Sequence, residues 1–342
     1  MQHKPLKQSK VQAGMSLVEL MIALVIGLLI LMGVLTVYLS GARTAATTEA
    51  LSRVQESGRF GVFFLSRDIR QAGFKSACQG EVNNLLDEGN AAYDDTLFDL
   101  NDPVFGWDDS AGTLAATLPE YVRGDVLMLK SASTVSGVTA NGNTPANAGN
   151  INLTTASGVE SGQVVFVGNS QSCDIFQNTS QPTASNLNRA GGNVSPGNKN
   201  FNANTNQFSQ AYDESMQIFL FQSTAYYIGN GIDGQPALRR ASFNTGAAVD
   251  EELVNGIEDM QLLYGEDTDG DRTADRYVAA GAVADWDDVV AVQVNLLASS
   301  LSTNVIDEVQ ALPVPWDALA DPGDGRLRRV FTTNVGIRNR LP

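Results

Sequence analysis

Histidine is almost missing from this 342-residue chain, and the single one, His3, stands ahead of the first long apolar run. Its absence from the body of the protein excludes Ser-His-Asp and Cys-His nucleophilic catalysis, His-ligated zinc and the commonest general base. Cysteine is scarce too. Cys78 and Cys173 are the only two, and neither sits in a CxxC pair or beside a histidine, so metal and dithiol redox motifs are missing. Positive charge is the third shortage: 22 Lys and Arg against 38 Asp and Glu give a net charge of −16. Such a surface repels nucleic acid and anionic lipid. Beyond the C-terminal Arg326, Arg328, Arg329, Arg338 and Arg340 there is no basic patch, and direct nucleic-acid binding is not expected. Carboxylates are abundant, so pair chemistry of the glycosidase kind stays open, but no spacing along a sequence identifies such a pair.

What is present begins at the N-terminus. From Met15 to Leu39 run 25 residues whose only charge is Glu19, long enough as a helix to cross a bilayer core. Lys4, Lys7 and Lys10 precede the run and hold that end in the cytoplasm, which places the rest of the chain outside the inner membrane. A carboxylate in a span costs about 2.5–3.5 kcal/mol at mid-membrane and less near the edge, so it marks either an interfacial position or a function. Cleavage after Gly14 would create an α-amino group at Met15, close to Glu19. In an assembly of parallel helices a neighbour's amine could neutralise the carboxylate.

The stretch Gly14-Met15-Ser16-Leu17-Val18-Glu19 followed by an apolar run resembles the signal of type IV prepilins. The resemblance implies cleavage after Gly14 by prepilin peptidase, N-methylation of Met15, and Glu19 as the residue that guides insertion into the filament. The sequence departs from the usual pattern in having Met where Phe is common and no proline in the span. Further on, Asp68-Ile69-Arg70-Gln71-Ala72-Gly73-Phe74 and the stretch Arg329 to Arg340 resemble PilW-type minor pilins of type IV pili, and less closely the J-type minor pseudopilins of type II secretion.

Taken in order, residues 1–14 read as a leader, 15–39 as a transmembrane helix and 43–73 as its amphipathic continuation. Leu51, Val54, Val62, Leu65 and Ile69 recur at helical steps on one face. Gly27, Gly33, Gly41, Gly58 and Gly61 predict a local bend or break, and Gly73 a C-terminal cap. Residues 75–342 form a head outside the membrane. Residues 78–121 read as a surface excursion. Short β-prone runs follow at 124–130, 162–168 and 174–177. Residues 179–210 are dominated by Asn, Ser, Thr and Gly and predict a long loop or a locally disordered stretch that buries almost nothing. Residues 216–228 and 237–243 read as strands joined by a turn that happens to spell GxGxxG. Pro236 and a β-prone run follow it where a dinucleotide fingerprint must open a helix, so the turn is a hairpin. Residues 251–264 are ambiguous between helix and strand, and 289–297 and 329–338 are strands.

Two further groups stand out. An oxidising compartment favours a disulfide between Cys78 and Cys173, the alternative being two buried thiols. In the run 267–275, Asp267, Asp269, Asp271 and Asp275 offer carboxylates at loop positions 1, 3, 5 and 9, and Thr273 a backbone oxygen at 7, which suits Ca²⁺. Position 12 is Val278 where an EF-hand has glutamate, and the alternative is a solvated acidic turn.

The reading as a whole is an α+β protein with a long N-terminal transmembrane and amphipathic helix and a mostly antiparallel β head. The resemblance implies a non-enzymatic component of the pilus. The resemblance implies pilus assembly at the tip, with adhesion, twitching motility or DNA uptake as outputs. It also implies other minor pilins, the major pilin, a large pilus-tip adhesin and the inner-membrane assembly platform as partners. Localisation follows as inner membrane and then the cell surface. A type II secretion pseudopilin and a membrane-tethered carbohydrate-active enzyme are the alternatives.

Overall fold

A computed structural model describes residues 14, 16–75, 78, 81–190, 193–200, 205–245, 247–316 and 323–340. Its spine is one helix, α1 (Leu17–Gln71), 55 residues long and thus about 82 Å at 1.5 Å per residue. The helix runs through all five glycines without melting. Gly58 and Gly61 lie on the face that meets the head, where a Cβ would fall 2.2 Å from the Phe331 ring and 2.7 Å from Leu296 Cδ1. These glycines let the helix axis approach the sheet, and burial offsets their low helix propensity. Ala50, Val54, Leu65 and Ile69 complete the buried stripe. The helix stops at Gly73, which takes a positive φ of 72° and donates its N–H to Lys130 O, tying the helix end to the head.

The head contains α2 (Asp95–Phe98) and strands β1 (Val82–Asn84), β2 (Val104–Trp107), β3 (Tyr121–Thr134), β4 (Asn150–Asn152), β5 (Val164–Gly168), β6 (Cys173–Gln177), β7 (Asn186–Asn188), β8 (Gln217–Asn230), β9 (Pro236–Ser242), β10 (Val249–Asn255), β11 (Ile257–Glu266), β12 (Arg276–Val278), β13 (Val289–Ser299) and β14 (Arg328–Gly336). The larger sheet runs β1-β6-β5-β8-β3-β2, with β9 and β10 continuing from β8. A second sheet runs β12-β11-β13-β14, and β4 pairs with β7. Only β1–β6 is parallel among the strand pairs of the described residues. The α+β expectation holds.

β3 shows why the layers form. Its apolar run is buried on both faces: Leu127 and Leu129 join the core beneath α1, while Val126 and Met128 join a second core on the opposite side. That second core is roofed by Leu97, Phe98, Leu114 and Leu118 from 78–121, so the stretch read as a surface excursion is a lid on the sheet. The ambiguous 251–264 resolves into β10 and β11, split at Gly256.

The polar stretch 179–210 also departs from expectation. Leu187 and Phe208 are fully or almost fully buried with Ile151, Leu153, Val159 and Tyr212 in a third core, and β7 pairs with β4. A few apolar anchors suffice because side-chain amides satisfy the backbone: Asn178 Nδ2 donates to Val159 O and Ser180 O, and Asn198 Nδ2 to Gln177 O and Arg189 O.

Candidate functional site

The first candidate site is the bare end of α1. Ser16 occupies the N-cap position, Gly14 is exposed, and Glu19 lies in the first turn. Met15 and residues 1–13 lie outside the described residues. Every residue from Leu17 to Leu39 is exposed, and this part of the helix is long and apolar enough to cross a membrane. The span from Leu17 to Leu39 measures about 34 Å at helical rise, close to the thickness of a bilayer core. Thr36 Oγ1 donates to Met32 O at 2.9 Å, so this hydroxyl brings no unmet polar demand into lipid. Glu19 is the single charged side chain there, and the partial positive charge at a helix N-terminus favours a carboxylate at that turn.

The second candidate is the acidic loop between β11 and β12. Asp267 Oδ1 accepts from the N–H groups of Gly270 (2.8 Å) and Asp269 (3.3 Å), and Oδ2 from Arg272 (2.7 Å). Burial pulls the Asp267 carboxyl up, and these N–H groups more than offset it, so its pKa falls below the usual range. Asp275 Oδ2 accepts from both the N–H and the hydroxyl of Thr268, which lowers its pKa too. Oxygens of Asp267, Asp269 and Asp275 converge to within 4.8 Å of one another. Asp271 stands outside this group, and its Oδ1 accepts from the Thr273 N–H. Three carboxylates so close together have the donor chemistry of a hard-cation site.

Cys78 and Cys173 are disulfide-bonded with Cα atoms 6.1 Å apart. The bond ties the segment just beyond α1 to β6, next to which β1 pairs in parallel.

Two buried carboxylates escape sequence reasoning, because nothing distinguishes them from the other acidic residues. Asp125, in β3, is almost fully buried and joins the two sheets: its oxygens accept from the Asp109 N–H (2.9 Å) and, across the gap, the Leu262 N–H of β11 (2.6 Å). Burial pushes its pKa up to about 7, against the opposing pull of those N–H groups. Asp174, fully buried in β6, accepts from Asn83, from the Ser209 N–H and hydroxyl, and from Tyr212, with burial raising its pKa. Both carboxylates are held on each oxygen by donors from the protein, the arrangement of a structural staple.

Comparison with known proteins touches both ends of the chain. Residues 225–339 match the family model described as Type IV Pilus-assembly protein W, and residues 9–35 match the prokaryotic N-terminal methylation motif. No curated protein matches the chain. Among solved structures it is similar to a type IV-like pilin from Thermus thermophilus, 12% identical, covering 85% of this chain and 98% of that one with a TM-score of 0.33.

Proposed function

We propose that this chain is a PilW-like minor pilin of the type IV pilus, first held in the inner membrane by residues 15–39 and then drawn into a filament, where it helps to initiate assembly at the tip. The observation that carries the reading is the continuity of α1. One unbroken helix joins an apolar end with a single carboxylate to a buried scaffold under the head, so force on the head is transmitted to the membrane end. Prepilin peptidase cuts after Gly14. The new amine of Met15, or that of a neighbouring subunit, then neutralises Glu19 as it leaves the membrane edge, offsetting the cost of a carboxylate in an apolar bundle. On this reading the partners are other minor pilins, the major pilin, a pilus-tip adhesin and the assembly platform. Adhesion, twitching motility or DNA uptake are outputs of the filament. On the same reading the protein is structural and works by assembly.

The Asp267, Asp269 and Asp275 group supports a further part of the reading, a Ca²⁺ ion that fixes the β11–β12 loop, with Asp271 and Thr273 as additional oxygen donors.

N-terminal mass analysis of the membrane fraction tests the first step. A mature chain beginning at methylated Met15 is expected, whereas a start near Ala42 would mean ordinary removal of the span and would sink the reading. Glu19→Ala is expected to insert normally but to be lost from sheared filaments. Unchanged incorporation would remove the charge-pairing role.

A further inference from the structure

Among the described residues β14 is the outer strand of its sheet, paired only with β13 and in regular register over all nine residues, without a bulge. The phase of its hydrogen bonds can be read from the ends. Ile337 N donates to Val290 O, and Ser300 N donates to Leu327 O. Odd-numbered residues therefore exchange hydrogen bonds with β13, and the N–H and C=O groups of the even-numbered residues point away from the sheet. Gln310 confirms this independently. Its side-chain amide accepts from the Arg328 N–H (2.7 Å) and donates to the Arg328 carbonyl (3.3 Å), standing where the peptide group of a next strand would stand.

Beyond Arg328 this substitution ends. Among the described residues, no hydrogen bond reaches the outward backbone groups of Val330, Thr332 or Asn334. The side chains of Thr332 and Asn334 do not cover the edge, because they bond across the face of the sheet to Asn295 and Gln293. Proteins ordinarily blunt such an edge with proline, a bulge or a covering segment, and β14 has no proline or bulge. The charge around it is also out of character. On a chain of net −16, Arg329 and Arg338 stand exposed at the two ends of the strand with no ion-pair partner among the described residues. They are about 30 Å apart at strand rise. A second copy of β14 laid antiparallel on the edge would bring arginines to arginines, so charge disfavours self-pairing.

We infer that the β14 edge is a strand-addition site for an extended, acidic segment of a partner protein, which pairs with the backbone of Val330, Thr332 and Asn334 and sets its carboxylates against Arg329 and Arg338. Main-chain hydrogen bonds supply the attachment and the arginines select the partner's charge.

The probe is a labelled nine-residue peptide of alternating valine and threonine with a glutamate at each end, compared with the same peptide carrying lysines. Both are titrated by fluorescence anisotropy onto the detergent-solubilised full chain. The acidic peptide is expected to bind at least tenfold more tightly. Its binding should slow hydrogen exchange at the amides of residues 330, 332 and 334 by at least tenfold, read by mass spectrometry with residue-level fragmentation. Thr332→Pro, which removes an outward N–H and leaves the β13 ladder intact, should abolish binding. Arg329→Glu with Arg338→Glu should invert the preference toward the lysine peptide, a result that does not depend on the proline variant folding. Equal binding of the two peptides, binding without protection of those three amides, an unchanged preference in the double variant, or a dimer closed through β14 in sedimentation would each overturn the inference.

Discussion

Gly58→Ala is the sharpest test of how the helix and head are joined, because two effects of known sign oppose each other there. Helix propensity favours alanine by about 1 kcal/mol in a solvated helix interior. Against it, the added methyl would lie 2.2–2.5 Å from three atoms of the Phe331 ring. No contact of that length is tolerated, so either the ring or the helix must move. Overpacking of this kind costs about 1–3 kcal/mol, which leaves a net loss of about 1 kcal/mol. In a head of this size that corresponds to roughly 2–4 °C in Tm. The matched control is Gly41→Ala, where nothing lies within 4 Å and only the propensity gain remains. The same chemical change should therefore move stability in opposite directions at the two sites. Thermal unfolding of the detergent-solubilised chain, followed by near-ultraviolet dichroism, provides the measurement. Gly58→Ala combined with Phe331→Ala should be less unstable than the sum of the single changes. If Gly58→Ala proves as stabilising as Gly41→Ala, close approach is not the reason for glycine and the packing argument fails.

Replacing Cys78 and Cys173 by serine should lower the unfolding midpoint, since a bridge with a sequence separation of 95 contributes up to about 4.5 kcal/mol on the chain-entropy model. Equal midpoints with and without the bond would refute this. Asp125 gives a pH signature: with a folded pKa of about 7 above an unfolded value of about 3.9, its contribution is present in full at acidic pH and lost as pH rises through 7. Stability should therefore increase from pH 8 to pH 5, and Asp125→Asn should flatten that slope in urea titrations. Millimolar Ca²⁺ should raise the Tm by an amount equivalent to about 1.4 kcal/mol at ten times Kd, with Mg²⁺ nearly inert. An equal response in Asp267→Ala with Asp269→Ala would mean general charge screening.

Much of this was legible in the sequence, for reasons that differ along the chain. The span is legible because lipid tolerates so little charge that a long run with one carboxylate has few other meanings. Strands such as β5, β8 and β13 are legible because β-branched and aromatic runs have a local preference for extended structure. The helix–sheet contact was not. Glycine in a helix reads as weakness in one dimension, and only the position of Phe331, some 270 residues later, turns it into a fit. The lobe around Leu187 and Phe208 was hidden for a related reason, since composition averages away two anchors whose partners lie in β4 and β5. Within the candidate sites the acidic loop announced itself by spacing, but Asp125 and Asp174 did not. Their roles come from backbone donors that no local pattern specifies.

The direction of α1 assigns the remaining surfaces to places. Thr47 Oγ1 donates to Val305 O and Arg43 meets Asp307, so the loop after β13 lies at the end of the head nearest the span. Asn339 reaches Gln71 and Ala72 at the other end of the helix, and Arg340 donates to Val289 O beside the acidic loop. From Leu39 to Gln71 the helix rises about 48 Å, so the Asp267 loop stands far from the bilayer and the strap at Val305 close to it. β14 runs between these levels, with Phe331 on Gly58 at one end and Asn339 at Ala72 beyond the other. A strand added to that edge would therefore run lengthwise beside the helix. It would hold a partner side by side with this subunit and leave the distal loop uncovered.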